Sequence, residues 1–205
     1  MRRSTSSAFW DVPTALGVVR GMPGDPAALG IGASSAATIE EAVEGALAEA
    51  FSVRAWARSE ALERPRPAYA GNYDDVTSFG DHVALHADPA NAHESAFLDS
   101  SPSLRNTSDV PALPHENILE TIEAIVARLA ARSVDAYVVD VTSPDVRASG
   151  LFVTKVVAPE LCALDAAHSA RFLGGTRLYG AAAELGLVAG PLAADEINPF
   201  PHPFP

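Results

Sequence analysis

Apolar residues recur at helical spacing in two long segments of the chain. In the first, Thr38 is followed three residues later by Glu41, the pattern of a helix-capping box. Apolar residues on one face of this helix predict a buried stripe of Ile39, Val43, Ala46, Leu47, Ala50 and Phe51. We expect the helix to end before the segment "RPRP" that begins at Arg64, because proline cannot continue a helix.

The second helical segment lies in the C-terminal half, where the spaced apolar residues are Ile118, Ile122, Ile125, Val126 and Leu129. Two β-branched runs follow it, "DAYVVDVT" and "LFVTKVVAP", and both predict buried strands. A further strand is expected at "LGVVRGM", and shorter helices around "SFGDHVALHA", "NAHESAFL" and "TRLYGAAAELGL". This order of helices and strands is an α/β layer pattern rather than a helical bundle.

The pattern is weakest between residues 64 and 114, which are rich in Pro, Asn, Asp and Ser. We expect that irregular segment to contain the two short helices and, from Asp99 onward, a loop that runs to Glu116. The chain closes on a Pro-rich tail at residues 198–205, "NPFPHPFP". Its prolines restrict the backbone of the tail to extended conformations. A length of 205 residues corresponds to one domain, or to part of a larger one.

Composition narrows the classes of partner. The formal net charge of −12 disfavours binding to nucleic acid and to anionic membrane surfaces, because both need a basic patch. A single cysteine, Cys162, excludes an internal disulfide and favours a cytoplasmic location. No apolar run approaches the roughly 20 residues that span a bilayer. Asp11 and Pro13 interrupt the apolar stretch that an export signal would need after the twin arginine.

Two short motifs have alternative interpretations. His82 and His86 are four residues apart and would share one helix face, which suits a metal pair. No third ligand is evident, so surface or capping histidines are the favoured interpretation. The segment "GIGASS" precedes the capped helix, where it would either cradle an anion or allow close packing of a strand on the helix.

Two charged residues of the first helix stand out. Arg54 falls within the apolar stripe and Glu49 lies on its edge. A charge on a buried face is costly unless it is paired. The pattern leaves two interpretations open: a buried ion pair or snorkelling guanidinium, or a carboxylate that binds a metal beside a guanidinium that binds phosphate.

The remaining candidates favour ordinary structural roles. Asp135, Asp140 and Asp145 surround a predicted strand and its following loop, where acids are usually solvated caps. Cys162 is interpreted as a small core or surface residue rather than a nucleophile.

Five segments carry a family resemblance, in this order: "ASSAATIEEAVEGALAEAFSVR", "SFGDHVALHADP", "VDAYVVDVTSPDVRASGLFVTKVVAPEL", "GGTRLY" and "NPFPHPFP". From about residue 10 to residue 205, the chain resembles the C-terminal half of a YcaO-family enzyme of the azoline-forming branch. The resemblance implies that residues 1–205 form an incomplete α/β domain, with a mixed sheet and flanking helices.

The resemblance also implies an activity. YcaO enzymes use ATP and Mg²⁺ to phosphorylate a backbone amide oxygen. A Cys, Ser or Thr side chain of a precursor peptide then closes a thiazoline or oxazoline ring. In the family's Glu-x-x-Gln-x-Arg motif, Glu49 matches the magnesium ligand and Arg54 the ligand of the nucleotide phosphate. Ser52 stands in place of the Gln.

The tail is the other element to which the resemblance assigns a role. Pro201, Pro203 and Pro205 would order the active site, and the terminal carboxylate of Pro205 would take part in proton transfer. A rigid tail can place such a group at a low cost in entropy.

The earlier half of a YcaO domain carries further nucleotide and magnesium motifs that are not found in this sequence. The expected partners are therefore a complementary N-terminal YcaO half, a leader-binding or adenylating-enzyme-like subunit, and the precursor peptide. Ser52 keeps open an alternative, a non-catalytic accessory or remnant subunit that stabilises a complete YcaO enzyme. The tail favours cyclisation over thioamide formation.

Overall fold

The computed structural model describes residues 10–99, 104, 106–114 and 116–205. Its helices and strands are β1 (Thr14–Arg20), β2 (Leu29–Ser35), α1 (Ile39–Glu63), α2 (Phe79–Ala87), α3 (Ile118–Ala130), β3 (Tyr137–Asp140), α4 (Pro144–Ala148), β4 (Thr154–Val157) and α5 (Thr176–Glu184). Four 3₁₀ segments are Pro89–Asp99, Thr107–Asp109, His168–Ala170 and Ala194–Glu196. The predicted α/β class and the order of its elements are confirmed.

Strands β1 and β2 form an antiparallel pair on which helix α1 lies directly. Gly17 faces Gly32 across the pair. A Cβ atom on either glycine would lie 2.5 Å from the carbonyl oxygen of Ala46 in α1. The helix backbone therefore rests on the strand backbone, which only glycine permits. The "GIGASS" segment is strand β2, and its glycines serve close packing.

This close contact selects the buried face of α1. That face consists of Ala42, Ala46, Ala50, Val53 and Ala57. The predicted stripe is partly wrong, because the larger side chains Val43, Leu47 and Phe51 are exposed, Phe51 to 59%. The helix lies too close to the glycines of the strands for large side chains to fit between them. The face of α1 that contacts the strands therefore consists mainly of alanines.

The ends of α1 follow the sequence signals. Thr38 Oγ1 accepts the Glu41 N–H at 3.3 Å, and Glu41 Oε2 accepts the Thr38 N–H at the same distance. The predicted capping box is thus confirmed, as is the end of the helix at Glu63. Helix α2 begins with a second capping box, formed by Ser78 and Asp81.

The core lies where α1, α2 and the β1–β2 turn meet. A cluster of buried apolar residues there consists of Ala27, Val53, Ala57, Val83 and Ala87. The Ala28 N–H donates to the Ala87 carbonyl at 2.8 Å and fixes the end of α2 beside the turn. This cluster holds α2 against α1, and α2 carries the two spaced histidines.

Strands β3 and β4 form a second antiparallel pair, in which Tyr137 faces Val157 and Asp140 faces Thr154. Every residue of both strands is exposed, with Val138 at 67% and Val156 at 62%. The prediction of buried strands is wrong here, because nothing in the described residues covers either face. The sheet also differs from the expected mixed sheet: the described strands form two separate antiparallel pairs.

Some expectations fall outside the described residues. They include the twin arginine and the first nine residues of the segment weighed as an export signal, and part of the loop that follows Asp99. Within the ranges that are described, no helix combines the length and apolar character needed to cross a membrane.

We expect Gly17→Ala to lower the free energy of unfolding by about 1–3 kcal/mol, because the new methyl group meets helix backbone that cannot move aside. Urea unfolding followed by circular dichroism measures the change. The matched control is Gly174→Ala, where a Cβ atom meets nothing within 4 Å. Equal stability of the two variants would contradict the backbone contact.

Candidate functional site

The three predicted residues of α1 do not share one environment. Glu49 is half-buried, and its Oε2 accepts the backbone N–H of Ala33 in β2 at 2.7 Å. Ser52 lies on the exposed side of the helix, where its Oγ donates to the Ala48 carbonyl at 2.9 Å. Glu49 therefore faces the strand edge, while Ser52 binds only its own helix.

Arg54 is held by the turn between β1 and β2. Its Nη2 forms an ion pair with Asp25 Oδ2, and its Nε donates to the Ala27 carbonyl at 3.2 Å. The Ala27 N–H donates to Asp25 Oδ1 at 3.0 Å, and this hydrogen bond lowers the pKa of the Asp25 carboxyl group. Of the two interpretations of Arg54, the structure contains the partly buried ion pair.

These residues do not assemble a magnesium site by themselves. Mg²⁺ demands near-octahedral oxygen coordination, usually one or two carboxylates together with phosphates and water. Among the described residues, Glu49 belongs to no group of three His, Cys, Asp or Glu side chains close enough to hold a metal. The described part of the chain does not fit a complete site for Mg²⁺ and ATP.

The C-terminal tail docks on helix α2 through the two spaced histidines. His86 Nε2 donates to the Pro201 carbonyl at 2.7 Å, and His82 Nδ1 donates to the His202 carbonyl at 2.9 Å. The predicted shared face is confirmed, but the favoured surface or capping role is wrong, because His82 is 0% exposed. Because proline lacks an N–H, the backbone groups of the tail that need hydrogen-bond partners are mainly its carbonyls. The two histidines, one helical turn apart, donate to carbonyls of consecutive tail residues.

Aromatic contacts add to these hydrogen bonds. The Phe200 ring packs edge-on against Tyr73 at 5.3 Å and against His86 at 4.9 Å between ring centroids. The His82 and His202 rings are stacked at 3.9 Å with an interplanar angle of 14°. These contacts fix the direction of the tail as well as its position.

The three tail prolines differ in their surroundings. Pro201 is buried, Pro203 is half-buried and Pro205 is exposed. The tail forms one wall of a cleft of about 440 Å³, whose other walls include Leu16 of β1 and Ile31 of β2. The structure thus brings Pro201 and Pro203 to a cleft, beyond which Pro205 projects toward solvent.

Burial shapes the electrostatics around the tail. Desolvation lowers the pKa of the His82, His86 and His168 imidazoles below the ordinary value of 6.5. The three rings are therefore neutral at neutral pH, and each neutral ring has one nitrogen that donates and one that accepts.

The other candidates have ordinary roles. Asp140 pairs with Arg147 at 2.6 Å and accepts the Thr142 N–H, so it caps a turn. Asp135 and Asp145 are exposed, as caps usually are. Cys162 is an exposed free cysteine.

The fold places the chain in the α/β class, with a helix packed on paired strands and a tail docked beside a cleft. The family model described as YcaO cyclodehydratase, ATP- and Mg²⁺-binding, matches residues 4–162. This match covers well over half of the chain, and the chain belongs to the YcaO family.

Two solved structures share this fold. One, a heterocyclase in complex with substrate and cofactor, has a TM-score of 0.71 and 22% sequence identity over 95% of this chain. The other, the heterocyclase TruD, has a TM-score of 0.65 and 24% identity over 97%. This chain spans 24% of the length of each. No curated protein matches its sequence.

We expect acid to weaken tail docking through His86. Its folded-state pKa is lowered, so the unfolded chain binds the proton more readily, and stability is lost as the pH falls from above 6.5 through the folded-state pKa. The free energy of unfolding should fall as the pH drops below about 7.5, where the imidazole of the unfolded chain begins to bind a proton. His86→Gln keeps a donor for the Pro201 carbonyl without titrating, and should show a shallower fall.

Urea unfolding of both proteins in EDTA-containing buffer measures this difference. The matched control is His93→Gln, because His93 is an exposed histidine that takes no part in the tail contact. Parallel pH profiles for the natural protein and His86→Gln would show that His86 contributes nothing.

Proposed function

We propose that this chain is a subunit of an ATP-dependent YcaO cyclodehydratase. The enzyme converts Cys, Ser or Thr of a ribosomally made precursor peptide to thiazoline or oxazoline by phosphorylating a backbone amide. The observation that carries this proposal is the fixed tail: a chain of this family holds a Pro-x-Pro-x-Pro segment in one position beside a cleft, through the buried side chain of His82 and the half-buried side chain of His86.

Three of the candidate residues have distinct roles in this proposal. Glu49, whose Oε2 accepts the Ala33 N–H, would help to hold magnesium through its carboxylate. Arg54 exchanges Asp25 for a phosphate oxygen, since both are anionic partners of a guanidinium. The carboxylate at Pro205 stands at the end of the docked tail, where it accepts or returns a proton during ring closure. ATP, when bound, supplies the phosphoryl group that activates the amide oxygen.

The complementary partner is a polypeptide that provides the remaining nucleotide and magnesium ligands. The β3–β4 pair supports this inference, because both of its faces are exposed and carry apolar side chains such as Val138 and Val156. A two-stranded sheet with both faces in water is only marginally stable. Val43, Leu47 and Phe51 are a second set of exposed apolar side chains, on the outer side of α1. Exposed apolar patches of this kind mark protein interfaces.

The precursor peptide would be recruited by another subunit, of the leader-binding or adenylating-enzyme-like class. The net charge of −12 argues against nucleic acid or an anionic membrane as the partner of this chain.

A second candidate function is a non-catalytic accessory subunit that binds and stabilises a complete YcaO enzyme. Two observations favour it. Ser52 occupies the position of the family's Gln and bonds only to its own helix, and Arg54 is already paired with Asp25.

We expect peptide modification only when this chain is combined with the complementary YcaO polypeptide, the precursor peptide, ATP and Mg²⁺. Mass spectrometry should show the loss of one water per ring formed, with matching ATP consumption. Glu49→Ala should abolish both while leaving assembly intact, because a magnesium ligand is lost. The matched control, Glu44→Ala, removes an exposed carboxylate of the same helix and should keep activity.

Two outcomes would decide between the candidate functions. Assembly without ATP turnover would favour the accessory subunit. Turnover that survives Glu49→Ala would remove Glu49 from the magnesium site.

We expect one extra residue after Pro205 to abolish ring formation while assembly persists, because the carboxylate is displaced from its position. Turnover assays and size-exclusion chromatography of the mixture measure the two properties. The control is a one-residue extension of the N-terminus. Unchanged turnover in the C-terminal variant would contradict the role of the tail carboxylate.

A further inference from the structure

Asp165 is a largely buried carboxylate that has no cationic side chain beside it. Its side chain is 14% exposed, and its Oδ2 is buried and forms no hydrogen bond with the described residues. Among those residues, the Lys and Arg side chains that form ion pairs do so with other carboxylates. A buried charge is costly unless it is paired. Asp165 therefore needs a cation from elsewhere.

The two nearest candidates within the chain do not meet this need. His82 Nε2 lies 4.0 Å from Asp165 Oδ2, which is too far for a hydrogen bond. Burial lowers the pKa of the His82 imidazole, so the ring carries no positive charge at neutral pH. Arg171 lines the same cleft as Asp165, but its Nη1 donates to the Asn198 carbonyl at 3.4 Å.

A second acceptor without a partner lies in the same cleft. His168 is 5% exposed, and its Nδ1 is buried and forms no hydrogen bond with the described residues. The ring is hydrogen-bonded to the backbone of Pro199, which offers only a carbonyl oxygen. His168 therefore donates through Nε2, and its Nδ1 can only accept. Asp165 and His168 together call for a group that is positively charged and carries several donors.

The walls of the cleft are apolar and open to solvent. The cleft has a volume of about 440 Å³, and Asp165 and His168 both line it. Leu16 and Phe172 line it as well, and they are 48% and 60% exposed. An incoming side chain thus meets apolar surface and two acceptors in one place. This combination suits a long side chain that has an apolar stem and a cationic head.

We propose that this cleft receives an arginine side chain of the complementary YcaO polypeptide, with its guanidinium paired to Asp165. A guanidinium is always charged and has five donors in a planar fork, so it can serve Asp165 and His168 together. It is also more weakly hydrated than the ammonium group of lysine, which favours arginine in buried ion pairs. The methylene stem of the arginine covers the apolar walls.

A resident partner fits this site better than the precursor peptide does. Asp165 is buried whether or not a substrate is present, so its charge needs a cation in every state of the enzyme. The exposed apolar walls beside it are the kind of surface that a subunit covers. The net charge of −12 also favours a partner with a basic contact surface. The inference rests on the proposed association with a YcaO polypeptide, but not on catalysis by this chain.

The first test uses the full chain alone. It is titrated with n-butylguanidinium and, separately, with n-butylurea, which has a similar shape and no charge. We expect saturable nuclear magnetic resonance shifts at the Asp165 carboxyl and the His168 ring with the guanidinium only. Asp165→Asn, which preserves shape, should remove the His168 response. Asp195→Asn, which neutralises an exposed carboxylate, should keep it. Circular dichroism verifies that both variants fold.

The second test measures association with the complementary YcaO polypeptide by calorimetry. Asp165→Asn should weaken the association at least about tenfold, because the partner's guanidinium is left without its carboxylate. Asp195→Asn should leave it unchanged. Replacing the arginine of the partner that enters the cleft with Gln should weaken the association as well. The two losses should not add in the double variant, because both changes remove the same ion pair.

Three results would overturn the inference, and they separate it from the proposed function. Equal responses to the two probes, or a guanidinium response that survives Asp165→Asn, would show that the cleft is not a cation site. Equal association of the natural chain and Asp165→Asn would contradict this inference alone. No association of the natural chain with the polypeptide would contradict the proposed function as well.

Discussion

The contact between the backbone of α1 and the backbones of β1 and β2 determines how the rest of the structure is arranged. Gly17 and Gly32 allow this contact, because any Cβ atom at these positions would collide with the Ala46 carbonyl. The contact sets the rotation of α1 about its axis. That rotation places Glu49 against the edge of β2 and Arg54 against the turn before it. Large side chains consequently lie on the outer side of the helix, available to a partner.

Helix α2 connects this packed unit to the tail. Val83 and Ala87 of α2 join the core cluster of α1, and the adjoining face of α2 presents His82 and His86 to the tail. The ring N–H groups of His82 and His86 donate to backbone carbonyls of the tail, whose prolines have no N–H group of their own. A polar cluster at this contact, centred on His82 and Asp165, contains buried atoms that form no hydrogen bond with the described residues. Packing in the N-terminal half thereby controls the position of the C-terminal residues.

The two halves of the chain differ in how far they bury apolar surface. The N-terminal half forms a core, whereas β3, β4 and the outer side of α1 expose their apolar side chains. Membership of the YcaO family and the TM-scores of the two heterocyclase structures agree on the fold. The exposed strands are the kind of surface that another polypeptide covers, and the ion pair of Arg54 with Asp25 is the kind of contact that a phosphate replaces.

The sequence by itself determined the local features: the capping box at Thr38, the end of α1 before Pro65, and the spacing that puts His82 and His86 on one face. These depend on residues within a few positions of one another. Only the tertiary structure decided which face of α1 is buried. Gly17 of β1 and Gly32 of β2 let the helix lie so close that only small side chains fit between it and the strands. Only the tertiary structure showed what the histidines bind, since their partners lie 120 and 115 positions away. Hydrophobic periodicity cannot report such distant contacts, nor whether a β-branched strand is covered.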